Sequence, residues 1–337
     1  MFTAYVVLDG YDLGAGALHL GVARSDEERR QVLAAVGPFW DANEVWLLAA
    51  GGALFVAFPR VLAAGLSGFY LAIFLVVWSL ILRGIAIEFR SHVTDPLWRR
   101  FWDTAFAVPS GLLAVLWGAA IGNVIRGLPV GGDGWFALTL FTSFRPHPPV
   151  GILDWYTVLT GVFALVALMG HGAVFLAWRT GGAVHARSRA VARVVFTALA
   201  VLWPLVTWAT AVVNPDLLRA LPARPVAWLG LLAAVAGLLT VFFALSRGRP
   251  LVAFLGSSTW IAGMLVATAA CLFPVLVRAL PDATRSLTAY NAGATAAGLR
   301  TALGWWMVGF PIAVAYFAVL FRIHRGKAVA AADGQGY

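Results

Sequence analysis

The sequence predicts an all-α polytopic membrane protein, and three observations carry that prediction. Of its 337 residues, 61% are hydrophobic and only 12% are charged, whereas a soluble domain carries about a quarter charged residues. The mean hydropathy is +0.85. A chain of this size cannot hide so much apolar surface from water, so lipid must be the solvent for much of it. The apolar residues come in long runs, without the strand alternation that a membrane β-barrel requires.

Nine apolar segments are expected as spans, at roughly 1–21, 45–66, 68–88, 105–126, 156–178, 194–213, 226–245, 251–275 and 302–322. A spanning helix needs ~20 such residues. The first segment carries Asp9 and Asp12 and has no basic start, so it does not read as a signal peptide. After it, Ser25 followed by Glu28 fits a capping box and predicts a short interfacial helix. The second segment is entered through Gly-Pro-Phe-Trp-Asp-Ala-Asn-Glu-Val-Trp-Leu (37–47), and the third ends on Arg83, Glu88 and Arg90. The stretch from Arg90 to Asp103 reads as an amphipathic connector whose tryptophans suit the headgroup region. Gly and Pro between Leu128 and Asp154 predict the longest loop. Residues 1–327 read as one transmembrane domain, and the Ala/Gly-rich residues 328–337 as a disordered cytoplasmic tail.

The net charge of +9 would prompt a nucleic-acid reading in a soluble protein. Here the basic residues sit in short connections between apolar runs, which is the pattern that orients membrane proteins. Nucleic acid is therefore not an expected partner, and the lipid bilayer is. Alternating the nine segments places 15 basic residues on the side where the first segment ends and 7 on the other. That split predicts an outside N-terminus and a cytoplasmic C-terminus. The single cysteine, Cys271, excludes a disulfide framework and a cysteine-based metal site.

Few residues could carry chemistry. Asp9 and Asp12 are three apart and share a helix face. An acid at membrane depth is costly unless it faces protein or water, which makes Asp12 a candidate proton carrier; Asp9 is either a second one or an interfacial residue. Asp41 and Glu44 are also three apart. They read either as a helix cap with its third-position partner or, together with Asn43, as the mouth of a proton path. Trp40 and Trp46 read as interfacial anchors, and Glu88 as a salt-bridge partner of Arg83 or Arg90. His19 and His171 read as buried neutral histidines rather than metal or heme ligands. No HExxH or Cys-x-x-Cys spacing occurs.

Together these motifs resemble subunit II of the cytochrome bd family of quinol oxidases. The resemblance rests on Leu-Asp-Gly-Tyr-Asp-Leu-Gly (8–14), the 37–47 block, Ser-Gly-Phe-Tyr-Leu (67–71) and Leu-Arg-Gly-Ile-Ala-Ile-Glu-Phe-Arg (82–90). It continues through Gly-Asn-Val-Ile-Arg-Gly-Leu-Pro (122–129), His-Gly-Ala (171–173) and Ser-Leu-Thr with Asn291-Ala292 (286–292). It runs nearly the whole length of the chain. Three departures stand out: members carry a longer apolar lead before Asp-Gly-Tyr-Asp, Ala42 replaces a usual glycine, and Phe39 and Trp78 are bulkier than typical. With a longer lead, Asp12 would lie near the cytoplasmic end, close to Asp41.

The resemblance implies nine helices arranged as two four-helix bundles plus a peripheral helix, in a bacterial inner membrane. It implies no heme or metal on this chain; heme b and heme d, or b hemes only, would sit in a partner subunit I. The complex would oxidise quinol and reduce oxygen to water, and the resemblance leaves room for a structural quinone in this chain and a small accessory subunit. Asp12 and Asp41 would carry protons from the cytoplasm, with Asn43, Glu44 and Trp46 lining the same region. Two other classes stay open on the residues alone. One is a proton- or ion-coupled transporter, though a pair of Pro/Gly-broken segments at matching positions is not evident. The other is a structural partner whose acids only cap helices.

Overall fold

A computed structural model of the chain describes residues 1–329. Twelve helices carry nearly all of its regular structure. They are α1 (Phe2–Val22), α2 (Asp26–Val36), α3 (Trp40–Ala57), α4 (Pro59–Gly68), α5 (Tyr70–Phe89), α6 (Pro96–Arg126), α7 (Trp155–Arg179), α8 (Gly182–Val213), α9 (Pro215–Ala220), α10 (Pro225–Ser246), α11 (Pro250–Leu272) and α12 (Ala296–Ile323). A two-stranded antiparallel ribbon, β1 (Val275–Val277) with β2 (Leu287–Thr288), lies between α11 and α12. Among the described residues, seven helices are long and apolar enough to cross a membrane: α5 to α8 and α10 to α12. The two other expected spans correspond to α1 and to the pair α3 and α4.

The expected segment 45–66 is not one helix. Pro59 has no N–H and fixes its own φ, and Phe58 leaves helical geometry at φ −139°, ψ 59°. Pro59 then starts α4 at a position where the missing donor costs nothing. Two other segments are longer than expected. α6 reaches back into the Arg90–Asp103 stretch because the Asp95 carboxylate accepts from the Leu97 and Trp98 amides, at 2.8 and 2.9 Å, with Pro96 at the first helical position. α8 begins at Gly182, twelve residues ahead of the expected 194. Of the expected tail, residues 330–337 lie outside the described residues.

The predicted capping box is present. Glu28 N–H donates to Ser25 Oγ at 3.3 Å, and Glu28 Oε2 accepts from the Ser25 and Arg24 amides. Glu28 also pairs with Arg187 of α8, tying α2 to that helix. The Arg187 guanidinium, then the Arg24 amide, hold the Glu28 carboxyl at about 2. A carboxyl depressed in the folded state contributes stability that is complete above its ordinary pKa and is lost as the pH falls through the folded value. Glu28→Gln should therefore lower the melting temperature slightly at neutral pH, because the pair is solvent-facing. The difference from wild type should vanish as the pH falls from about 5 to about 2.

α1 sits at the centre, packed against α6, α7 and α3. It crosses α7 so closely that a Cβ at Gly14 would lie 1.8 Å from the Leu168 carbonyl oxygen, and one at Gly172 would lie 2.3 Å from the Ala15 nitrogen. Only glycine fits such an approach, and small residues are how helices pack tightly in lipid. Gly14→Val should force the two helices apart and cost ~1–3 kcal/mol or more, read as a fall in the melting temperature of the purified complex. α10 packs closely along α11, α5 lies on α6, and α12 rests on α3 with no buried residue of its own.

Candidate functional site

The acids of α1 face α3 and α5. Asp9, Asp12, Asn43 and Arg83 are all fully buried. Arg83 of α5 donates from Nη1 to Asp9 Oδ1 at 2.8 Å and from Nη2 to Glu44 Oε1. Asn43 of α3 donates from Nδ2 to Asp12 Oδ2 at 2.7 Å and to the Tyr11 hydroxyl at 2.8 Å. Asp9 Oδ2, Asp12 Oδ1, Asn43 Oδ1 and Arg83 Nε are buried without partners.

Three carboxyl groups thus lie within electrostatic reach of one guanidinium. In a medium poor in water, such buried charges are held only where they are paired and hydrogen-bonded. Asp12 is hydrogen-bonded on one oxygen only, and its other oxygen is buried without a partner. Glu44 is about a quarter exposed and joins this buried group to the surface.

The structure separates the other candidates from this group. Asp41 is exposed and makes no hydrogen bond or ion pair among the described residues. It is not a cap either: Phe39 holds the cap position of α3, with no side-chain cap bond. Asp41 and Asn43 are two residues apart, about 200° around a helix, so they lie on nearly opposite faces. The expected pairing of Glu88 with Arg83 or Arg90 does not occur. Arg83 pairs with Asp9 and Glu44, and Arg90 pairs with Asp26 and Asp103. Trp46 is not an interfacial anchor. It is buried against Phe310 and Phe317 of α12, at 6.0 and 5.8 Å between ring centroids. Trp40 packs its ring onto Gly84, next to Arg83.

Two polar networks have no counterpart in the sequence reading. At the end where α1 stops and α6 starts, Asp103 accepts from Arg90 Nε at 2.6 Å and from Arg29 Nη1 at 2.8 Å, and meets His19 Nε2 at 2.7 Å. Asp26 pairs with Arg90 and Arg99 at 2.8 and 2.6 Å, extending the network to the surface. At the opposite end of α6, Arg126 donates to Asp154 and to Asn123 Oδ1, and Asp154 caps α7 by accepting from Tyr156 and Thr157 N–H. The Asp154–Thr157 spacing is the sequence signal for that cap. Nothing local marks Asp103, whose partners come from three other elements.

His171 has both ring nitrogens occupied: Nε2 donates to the Val7 carbonyl at 2.8 Å and Nδ1 meets Ser257 Oγ at 2.7 Å. It therefore offers no free nitrogen to a heme iron. Among the described residues, no group of three or more His, Cys, Asp or Glu side chains is placed to hold a metal ion.

Comparison with known proteins identifies the family. The chain is 31% identical to cytochrome bd-I ubiquinol oxidase subunit 2 of Escherichia coli strain K12, over 94% of this chain and 89% of that protein. It is 30% identical to a probable cytochrome oxidase subunit 2 of Haemophilus influenzae over the same shares. It is 34% identical to cytochrome bd ubiquinol oxidase subunit 2 of Bacillus subtilis, over 59% of this chain and 57% of that one. Its fold matches a chain in the structure of a bd oxidase from Geobacillus thermodenitrificans with a TM-score of 0.72 at 18% identity, covering 96% of this chain and 94% of that one. The family model for cytochrome bd terminal oxidase subunit II matches residues 1–324, and the chain belongs to that family.

Proposed function

We propose that this chain is the heme-free subunit II of a bacterial inner-membrane quinol oxidase of the bd type. It holds the heme-bearing subunit I in place and feeds protons to the reduction of oxygen to water. The hemes of the partner supply the electron chemistry when bound, and this chain's own groups bind and move protons. The observation that carries the proton role is the buried group at α1, α3 and α5. There, Asp12 keeps one oxygen free, Asp9 and Glu44 share one arginine, and Asp12 lies within that arginine's electrostatic reach. Protons arriving at the surface end of α3 meet Asp41 and then the part-exposed Glu44. Arg83 joins Glu44 to Asp9, and Asn43 holds Asp12 one helical turn away. Asn43 cannot itself titrate, so its part is to fix the Asp12 carboxyl.

Within this reading, α1 and the α3–α4 pair complete nine spans. They form two four-helix bundles with α12 outside, the N-terminus faces outward and the C-terminus is cytoplasmic. The whole described chain acts as one transmembrane domain. A cavity of about 260 Å³ between α1, α6, α7, α8, α10 and α11 is almost wholly apolar, with Tyr156, Thr160 and Thr210 among its lining residues. It suits the tail of a structural quinone or a lipid acyl chain. A small accessory subunit would bind the complex elsewhere.

The test is purification of the complex, followed by a reduced-minus-oxidised spectrum and quinol-driven oxygen uptake. Heme bands from a co-purifying subunit are expected, and a heme-free preparation without that subunit would refute the reading. Asp41→Asn separates a collector from a bystander. It should slow proton uptake roughly two- to fivefold while leaving heme content unchanged, since a surface carboxylate raises local proton supply without gating it. Unchanged uptake would remove Asp41 from the path.

A further inference from the structure

The corner where α7 ends, α11 begins and the chain leaves α12 gathers positive charge that no acid among the described residues meets. Arg179, the last residue of α7, is 3% exposed, yet it has no carboxylate partner among the described residues. Its Nη1 donates to the Gly326 carbonyl at 2.6 Å, its guanidinium carbon lies 5.4 Å from the centroids of Phe39 and Trp178, and its Nε is buried without a partner. Lys327 donates to the Ala177 and Trp178 carbonyls at 3.3 and 2.7 Å. Burial, then the nearby Arg179 guanidinium, pull the Lys327 ammonium below its usual range. Arg189 donates from Nη2 to the Leu245 carbonyl and leaves its own buried Nε unpartnered. Arg249 is exposed and makes no side-chain hydrogen bond or ion pair among the described residues. Arg179 is buried, and Arg249 and Lys327 are exposed beside it with no acid among the described residues to balance them. Cations gathered in this way repel one another, so this corner suits an anion.

A cavity of about 300 Å³ opens among these cations, lined by Trp178, Arg249, Leu251, Val252, Gly326 and Lys327. Its floor is rigid, because the Trp178 ring stacks on Phe254 and on Phe321, with centroids 5.4 and 6.4 Å apart. One wall is the start of α11, a 23-residue helix with no side-chain cap. The Leu251 and Val252 amides belong to its unbonded first turn, where the helix dipole favours negative charge. The cavity sits at the end of spanning helices, and its apolar side continues onto Leu251 and Leu255, 42% and 54% exposed and one turn apart on α11. A free inorganic anion has no use for that apolar track, but a lipid does. Basic pockets at the ends of membrane helices are where anionic headgroups settle.

We propose that this cavity binds one anionic phospholipid. Its phosphate lies between Arg249, Lys327 and the first amides of α11, and an acyl chain runs along Leu251 and Leu255. The lipid supplies the missing counter-charge and fastens the segment after α12 to the ends of α7 and α11.

The test uses the intact purified complex in detergent, with phosphatidylglycerol, phosphatidylcholine or inorganic phosphate added. Native mass spectrometry reads retained lipid and thermal melting reads protection. Wild type should retain phosphatidylglycerol in preference to phosphatidylcholine and melt higher with it, and inorganic phosphate should give no such protection. The double variant Arg249→Gln, Lys327→Gln should lose apparent affinity for phosphatidylglycerol at least tenfold. A control, Arg100→Gln with Arg193→Gln, removes two exposed cations from the same end of the fold and should retain it. Should the double variant fail to assemble, Arg249→Gln alone, at an exposed position, must show a selective loss of at least threefold. Equal retention in the pocket variants, equal loss in the control, or equal protection by inorganic phosphate would each overturn the proposal. The first removes the site, the second reduces it to diffuse attraction, and the third assigns it to a free anion.

Discussion

Asp12→Asn is expected to lower quinol-driven oxygen reduction by the assembled complex on the order of 10²-fold, the effect typical of removing a positioned proton-transfer group. Heme content and yield should be unchanged. The side chain keeps its shape, and its oxygen can still accept from Asn43 Nδ2, which lies 2.7 Å from Asp12 Oδ2. What the amide lacks is a titratable oxygen, and Asp12 Oδ1 is the buried, unpartnered atom that would bind and release the proton. No lost ion pair complicates the comparison, since Asp12 forms none among the described residues. Turnover and proton uptake should fall together. Wild-type turnover in the Asp12→Asn variant would exclude this carboxyl from the path and leave Glu44 and Asp9 as the route.

Asp103→Leu should be the most damaging substitution for stability. Asp103 is the shared acceptor of Arg90, Arg29 and His19, and Arg90 is 1% exposed. Removing one member of a buried ion pair leaves the other charged and desolvated, at a cost of ~3–5 kcal/mol. The network also joins α1, α2, α6 and the end of α5, so the loss falls on the packing that holds α1 in place. The measurement is the yield and melting temperature of the complex, with Arg187→Gln as a comparison. That variant breaks a more exposed pair with Glu28 and the bond from Arg187 Nε to the Val22 carbonyl, where a cost of ~1–2 kcal/mol is expected. Equal melting temperatures for Asp103→Leu and wild type would mean that water or Asp26, which already pairs with Arg90, is enough to compensate it.

These two acids also differ in how far the sequence announces them. Asp9 and Asp12 stand out as acids three apart in an apolar run, a signal that is entirely local. Asn43 and Glu44 follow from their place at the entrance to α3. Arg83 reads as a partner of Glu88, five residues on, because both lie in one stretch. Five residues turn a helix by about 500°, so the two side chains diverge by about 140°. Arg83 turns instead to α1 and α3. Asp41 groups with Asn43 for the same reason of nearness in sequence, and the helix puts it on the far side. Asp103 reads as part of a connector because the residues around it are charged; Asp95 and Pro96 start α6 earlier and carry it inside.

Composition, periodicity and spacing within single stretches of chain are enough to specify the class of protein, its helical architecture, the capping box at Ser25 and the acids of α1. Which charges meet is settled by packing between helices. Arg83 joins Asp9 to Glu44, and Asp103 gathers His19, Arg29 and Arg90. Arg179, Arg249 and Lys327 are left without an acid among the described residues. A buried ionic group takes its partner from whichever helix lies against it. The packing of α1 on α7 is set by small residues such as Gly14 and Gly172, which carry no charge signal at all.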